Sequence, residues 1–236
     1  MILSNHFWQK HDEAVFERIK TFKSKKNEVW LIKARKSDGT PQQYVLKAYQ
    51  DHKRLVKEME MITALHRQGL EVPAVYEQQG SYLLMEYIDG ITLCEAFEKQ
   101  ECKWTEGDHL PESTMEIIGL LTGWLERFYQ ITKELEGKRM IMADVNLRNF
   151  LWTDTVFGVD FEDCREGRYE EDAGKICAYV YTYSPMATPF KKQLVNAFAD
   201  TFVKELLLEG SLIYHYMDRE LKMMERRRKM AIPHFK

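Results

Sequence analysis

Two hydrophobic periods divide the chain. Through residues 15–49 apolar and polar positions alternate as in a strand, with the runs Val29-Trp-Leu-Ile-Lys-Ala34 and Tyr44-Val-Leu-Lys-Ala-Tyr49 joined through Ser37-Asp38-Gly39-Thr40. Asp-Gly between two apolar runs predicts a hairpin, because glycine accepts positive φ. In the second run Val45, Lys47 and Tyr49 share one face. Residues 53–68 switch to the helical period, with Leu55, Met61, Ile62 and Leu65 on one stripe. Glu58 falls in the middle of that stripe and Glu60 on the opposite side. A carboxylate on a buried face needs a cation, since an unpaired buried charge costs several kcal/mol. Lys47 on the preceding strand is the candidate; the alternative is a solvated Glu58 and an edge lysine.

Beyond Gly69 come Val72-Pro-Ala-Val-Tyr76 and the apolar strand Ser81-Tyr-Leu-Leu-Met-Glu86-Tyr-Ile-Asp-Gly90. The acidic, glycine-terminated end predicts a boundary there, with a β-rich N-terminal lobe over 1–89 and a mainly helical lobe over 90–236. Residues 91–111 read as irregular and polar. Residues 113–135 predict a helix whose inward stripe is Ile118, Leu121, Leu125, Phe128 and Ile131. Short strands at 139–143 and 150–152 flank the loop from Asp144 to Asn149, and a third at 156–159 delivers Asp160. Helices at 171–183, 190–209 and 211–229 follow, and Asp172 at the start of the first suits an N-cap. The fold class is α+β: an N-terminal antiparallel sheet with one helix, then a helical region.

Composition narrows the partners. The 236 residues are 44% apolar, enough for a real core, and the net charge of -3 gives no global basic field to recruit nucleic acid. Arg226, Arg227, Arg228 and Lys229 form a local basic cluster at the end of the last helix. Such a cluster binds RNA or acidic lipid weakly, or simply sets cations at the negative helix pole. The four cysteines, Cys94, Cys102, Cys164 and Cys177, make no C-x-x-C pair, which predicts reduced thiols in a cytoplasmic protein. Polar residues interrupt the N-terminus before a signal core forms, and no long apolar run predicts a membrane span, leaving only peripheral membrane attachment open.

The candidate chemistry lies between residues 140 and 163. Asp144 and Asn149 stand five apart, and Asp160 closes a short apolar run beyond them. Moving a γ-phosphoryl group needs a carboxylate at the attacking hydroxyl, plus an amide oxygen and a second carboxylate for the metal ions. Taken in order, Lys47 in Val-Leu-Lys, Glu58, Leu-Met-Glu86-Tyr-Ile88-Asp-Gly, Asp144-x-x-x-x-Asn149-Phe-Leu and Val-Asp160-Phe-Glu-Asp resemble the signature set of protein-kinase-like phosphotransferases. Their local wording is most similar to atypical members: RIO-type kinases, Kdo kinase, and the aminoglycoside and choline phosphotransferases.

That resemblance implies a bilobal protein-kinase-like fold using ATP and Mg2+ or Mn2+. Lys47 would contact the α- and β-phosphates and pair with Glu58, while Asp144 orients or deprotonates the acceptor hydroxyl and Asn149 and Asp160 bind metal. The backbone of Glu86 and Ile88 would bind adenine between Val45 and Leu151. Ser24 and Asn27 in the glycine-free loop Lys23-Ser-Lys-Lys-Asn-Glu28 would meet phosphates, with a solvated basic turn as the alternative. Asp172 is similar to the family aspartate that holds the catalytic loop from below, which competes with its N-cap reading. Met142 and Ala143 replace the usual histidine-containing pair and weaken loop bracing; Glu162 replaces a glycine and argues against a flipping activation segment.

Only 58 positions separate Glu86 from Asp144, short beside antibiotic and choline phosphotransferases, which resemble this chain but insert helices there to enclose their substrates. The expected function is therefore an ATP-dependent kinase with an open acceptor face, either a RIO-like Ser/Thr protein kinase or a sugar or lipopolysaccharide-type kinase. The alternatives are a small-molecule phosphotransferase and a catalytically inactive pseudokinase.

Overall fold

The alternation over residues 15–49 becomes three strands. The computed structural model describes residues 16–235 other than Lys25 and Ser37. The N-terminal segment read against a signal peptide, Val15, Lys25 of the basic loop and Ser37 of the hairpin turn therefore lie outside the described residues. Described residues up to Asp89 form one compact unit and those from Gly90 onward a second.

The first unit contains β1 (Phe16–Phe22), β2 (Glu28–Arg35), β3 (Pro41–Ala48), α1 (His52–Arg67), β4 (Val75–Gln79) and β5 (Tyr82–Glu86). The strands form an antiparallel sheet in the order β1-β2-β3-β5-β4. β2 and β3 are the expected hairpin, running in register from Glu28 opposite Ala48 to Arg35 opposite Pro41. Its turn is closed by the Lys36 N–H to Thr40 O bond (2.8 Å) and by the Thr40 N–H to Asp38 Oδ1 bond (2.8 Å). Strand alternation sorts the side chains: Phe16, Trp30, Ile32, Tyr44, Leu46 and Leu84 pack into one buried cluster, whereas Val45 and Lys47 lie on the other face. Helix α1 is capped by Asp51, whose side chain accepts the Lys53 N–H, and buries Leu55, Glu58, Ile62 and Leu65. Met61 is only half-buried, at the edge of the expected stripe, and Glu60 is exposed.

The second unit corrects one expectation at once. Residues 91–111 are not irregular throughout: β6 (Ile91–Thr92) leads into α2 (Leu93–Glu101). Thr92 and Glu95 form a capping box, each side chain bonding the other's backbone N–H, and Leu93, Cys94, Ala96 and Phe97 supply a buried face. The polar residues that suggested a loop are the exposed side of that helix. Next come α3 (Glu112–Glu136), β7 (Met140–Ile141), a 3-10 turn at Leu147–Asn149, β8 (Phe150–Trp152), β9 (Val156–Gly158) and β10 (Arg165–Glu166), followed by α4 (Tyr169–Thr182), α5 (Pro189–Glu205) and α6 (Gly210–Arg228). In α3 Ile118, Leu121, Leu125 and Phe128 are buried as expected, but Ile131 is half-buried and Thr132 takes the inward position. The hydroxyl of Thr132 donates to Phe128 O at 2.7 Å, so its burial leaves no orphan donor.

Two close approaches set the geometry around the catalytic loop. Strands β8 and β9 pair with Phe150 opposite Gly158, and the Trp124 ring of α3 lies against that glycine; a Cβ there would sit 2.2 Å from the ring. Trp124 also stacks on Phe128 and meets Phe150 edge-on, with centroids 5.6 and 5.4 Å away. At Gly174, α4 touches α6 so closely that a Cβ would stand 2.7 Å from Ile213 O. Thr182, later on α4, meets Met224 and Arg228, later on α6, so the two helices run in the same direction. Among the described residues no helix is long and apolar enough to cross a membrane.

Gly158→Ala should be destabilising by about 1–3 kcal/mol, the usual cost of overpacking a filled site. Urea unfolding measures it; a change below about 0.5 kcal/mol would mean that the Trp124 ring yields freely.

Candidate active site

In the first unit the expected lysine–glutamate pair is formed. Lys47 Nζ lies 2.7 Å from Glu58 Oε2, with both side chains almost fully buried. The glutamate has a second donor that the sequence reading did not assign a role: the Tyr49 hydroxyl donates to the same Oε2 at 2.8 Å, and Lys47 Nζ lies 4.9 Å above the Tyr49 ring. Strand alternation had already placed Tyr49 on the face of Lys47. Glu58 is thus gripped by a cation and a hydroxyl from one strand, which offsets its desolvation and fixes where the lysine stem runs.

The remaining first-unit candidates are spread along the sheet. Val45 is half-buried and pairs with Met85 across β3–β5. Glu86 is tied to the segment before β4 twice, its N–H donating to Ala74 O (2.9 Å) and its carboxylate accepting the Ala74 N–H (3.1 Å). Ile88 is buried two residues on. In the turn between β1 and β2 the Ser24 hydroxyl accepts the Asn27 N–H at 3.3 Å, with Asn27 buried and Ser24 exposed.

In the second unit a buried carboxylate organises the loop. Asp172 does not cap α4, which starts at Tyr169 after Arg168; it lies within the first turn and points inward, fully buried. Its oxygens accept the N–H groups of Met142 (2.9 Å) and Ala143 (3.0 Å) and the Tyr129 hydroxyl (3.3 Å). The N-cap reading is corrected, because the donors come from the catalytic loop and α3 rather than from the helix end. Nor does the replacement of histidine by Met142 leave the loop unbraced, since the brace runs through backbone amides. Lys175 adds a bond to Ala143 O at 3.0 Å, and Ala143 takes the left-handed φ of 65°.

Downstream of this anchor each side chain is fixed by the next. Asn146, which the sequence reading passed over, donates to Asp144 Oδ1 at 2.9 Å and accepts the Arg148 N–H at 3.0 Å. Asn149 donates its amide nitrogen to Asp144 O at 3.0 Å, leaving its amide oxygen as the metal-capable end. The Val159 N–H donates to Asn149 O at 2.9 Å, so the loop is tied to the strand that delivers Asp160. Asp160 has a φ of 67°, and one of its carboxylate oxygens lies within 4.8 Å of one from the buried Glu162. Amide and carboxylate oxygens are the hard donors that magnesium requires, and the residues present fit such an ion. Leu151, half-buried on β8, pairs with Phe157.

A family model for the RIO domain matches residues 8–162. The chain belongs to the RIO domain family. No curated protein matches it. The RIO domain is a protein-kinase-like, ATP-binding phosphotransferase domain, and the matched span holds Lys47, Glu58, Asp144, Asn149 and Asp160 in order. It stops short of α4, so the brace at Asp172 stands on the hydrogen bonds to Met142 and Ala143 rather than on the family match.

Burial pushes the Asp172 carboxyl from its ordinary 3.8 up to about 6, with the Met142 amide, Lys175, the Ala143 amide and Tyr129 pulling the other way. The folded state therefore holds that proton more tightly than the unfolded one, and this group's contribution to stability falls as pH rises from about 4 to about 6. Asp172→Asn removes the titration and turns an N–H toward a backbone N–H. In urea unfolding across pH 4–7, the stability of the natural protein relative to this variant should fall by up to about 3 kcal/mol between pH 4 and 6 and stay level above that. A difference that does not vary with pH would refute the assignment.

Proposed function

We propose that this RIO-family chain is an active ATP-dependent phosphotransferase that moves the γ-phosphoryl group of ATP to a hydroxyl acceptor. The observation that carries the reading is the chain of contacts from Asp172 through the catalytic loop to Asn149 and Asp160. A scaffold that only kept the fold has no need to hold a carboxylate, an amide oxygen and a second carboxylate in one braced series.

The first unit, residues 1–89, is the nucleotide-binding part. Lys47, positioned by Glu58 and Tyr49, neutralises the α- and β-phosphates; Ser24 and Asn27, in the turn between β1 and β2, add polar contacts to them; the backbone of Glu86 and Ile88 holds adenine, with Val45 giving it apolar contact. The second unit, residues 90–236, is the catalytic part. Asp144, aimed by Asn146, orients the acceptor hydroxyl and takes its proton. Asn149 and Asp160 hold magnesium, which supplies charge neutralisation to the phosphates when bound. None of the four cysteines is in a disulfide, which supports a cytoplasmic setting.

Asp160→Ala should abolish magnesium-dependent ATP binding in a thermal-shift titration and eliminate ATP turnover. Asp144→Asn should keep nucleotide binding while transfer falls by about two to four orders of magnitude, the range for a lost general base. If the natural protein shows neither a thermal shift with magnesium-ATP nor ATP consumption across a broad acceptor panel, only the pseudokinase reading survives. Equal loss of binding and transfer in Asp144→Asn would make Asp144 structural.

A further inference from the structure

Several cations gather at one place that the phosphoryl-transfer chemistry leaves unused. Arg148 precedes Asn149 in the catalytic loop and is exposed, with its guanidinium 4.8 Å above the Tyr183 ring. Tyr183 is itself fixed from the loop, because its hydroxyl accepts the Leu147 N–H at 2.9 Å. One turn earlier on α4, Tyr179 stacks on Tyr183 with ring centroids 6.4 Å apart. Burial pushes the Tyr179 hydroxyl up to about 12, the nearby Asp144 carboxylate adds to the rise, and a hydrogen bond with Arg227 of α6 works against it. Arg227 also pairs with Glu220, and Arg228 donates to Thr182 O at 3.3 Å.

Three guanidiniums from two distant stretches of sequence thus reach the last turn of α4, one of them from the same loop as Asp144. Cations complementing a helix dipole would account for Arg226, Arg227 and Arg228 at the end of α6. Helix electrostatics also places Arg228 on a terminal carbonyl of α4, but it covers neither Arg148, which stacks on Tyr183 from another element, nor the hydrogen bond between Arg227 and Tyr179. The close contact at Gly174 seats α6 on α4, so the convergence is set by packing. Nearby acids on α6 are outnumbered: Glu220 pairs with Arg227 and Glu225 accepts the Ile232 N–H at 2.9 Å, whereas Arg148, Arg228, Arg226 and Lys229 are all exposed cations. Planar guanidiniums offer paired N–H donors matched to phosphate oxygens, and several held within two helix turns suit a compact dianion.

We propose that this arginine patch is an acceptor subsite for a phosphate group already carried by the hydroxyl compound that receives the γ-phosphoryl group. The proposal rests on the phosphotransferase reading and specifies its acceptor. The acceptor oxygen bonds to the γ-phosphorus as the bond from that phosphorus to the β,γ-bridging oxygen breaks; the hydroxyl proton passes to Asp144 and ADP leaves. The acceptor's own phosphate stays intact on Arg148, Arg227 and Arg228.

Calorimetry on the full chain without nucleotide, using glycerol 3-phosphate, glycerol, inorganic phosphate and an acidic serine peptide, tests it. Glycerol 3-phosphate should bind more tightly than any of the others. Arg148→Ala should weaken that binding about tenfold, the equivalent of one charge-assisted hydrogen bond. Arg227→Lys, which keeps a cation against Glu220 but loses the fork, should weaken it in the same direction. Lys222→Ala removes a charge of the same sign from the exposed Lys222–Asp218 pair on α6 and should leave binding unaltered. With magnesium-ATP, label should move to glycerol 3-phosphate in preference to glycerol.

Absence of glycerol 3-phosphate binding, an equal effect of Lys222→Ala, tighter binding of the acidic peptide, or inorganic phosphate binding as tightly with no transfer preference would each overturn the subsite. Arginine-dependent binding of glycerol 3-phosphate with no transfer to anything would uphold the phosphate recognition and sink the phosphotransferase reading. Transfer to glycerol and glycerol 3-phosphate alike would do the reverse.

Discussion

A buried carboxylate has to be met by donors, and in this protein the donors that meet Asp172 are the Tyr129 hydroxyl and two backbone amides just ahead of Asp144. Leaving that carboxylate unmatched would cost several kcal/mol, so the loop is held at Met142 and Ala143 with a force that surface contacts could not supply. The consequences run outward in chain order. Ala143 is fixed in a left-handed conformation, Asp144 follows directly, and Asn149 bonds back to Asp144 O while its own carbonyl receives the strand leading to Asp160. The residues proposed for the chemistry inherit their positions from a buried group behind the loop.

The first unit solves a similar problem with different chemistry. Glu58 is as deeply buried as Asp172, and each accepts a tyrosine hydroxyl, but the other donor to Glu58 is a cation on β3 whereas those to Asp172 are neutral amides from a loop. The difference suits the two tasks. Lys47 needs a fixed stem and a retained charge, which a carboxylate partner provides, whereas the catalytic loop needs a fixed backbone. Each device is a buried acid whose desolvation is offset only when the functional element is in place, and each therefore couples local geometry to stability.

How much of this was legible in the sequence depended on whether burial followed from period alone. Glu58 was legible because it interrupts an apolar stripe, and an interruption of that kind demands a partner. Asp172 was not decidable in the same way: an acid in the first turn of a helix suits both a cap and an inward brace, and only the position of Met142 and Ala143 separates them. The helix at Leu93–Glu101 is masked in the sequence by its high share of polar residues, two of which, Glu98 and Glu101, are half-buried, although Thr92 and Glu95 carry the capping-box spacing openly. Asn146 and Tyr49 stood beside recognised residues without carrying a motif of their own. Their roles are hydrogen-bond partnerships, which depend on side-chain direction rather than residue type.

The basic end of α6 shows the same limit from the other side. As sequence it is four cations closing an amphipathic helix, and helix electrostatics accounts for that fully. What changes its meaning is a glycine far earlier in the chain but close in space: Gly174 lets α6 lie on α4 without an intervening side chain. The helices then share a direction, and the arginines arrive at Tyr179 and Thr182 instead of at solvent beyond the helix end. Arg148 reaches the same turn from the catalytic loop. Charge that would have been a solvated tail is carried back onto α4, and the proposed acceptor subsite depends on that packing of two helices.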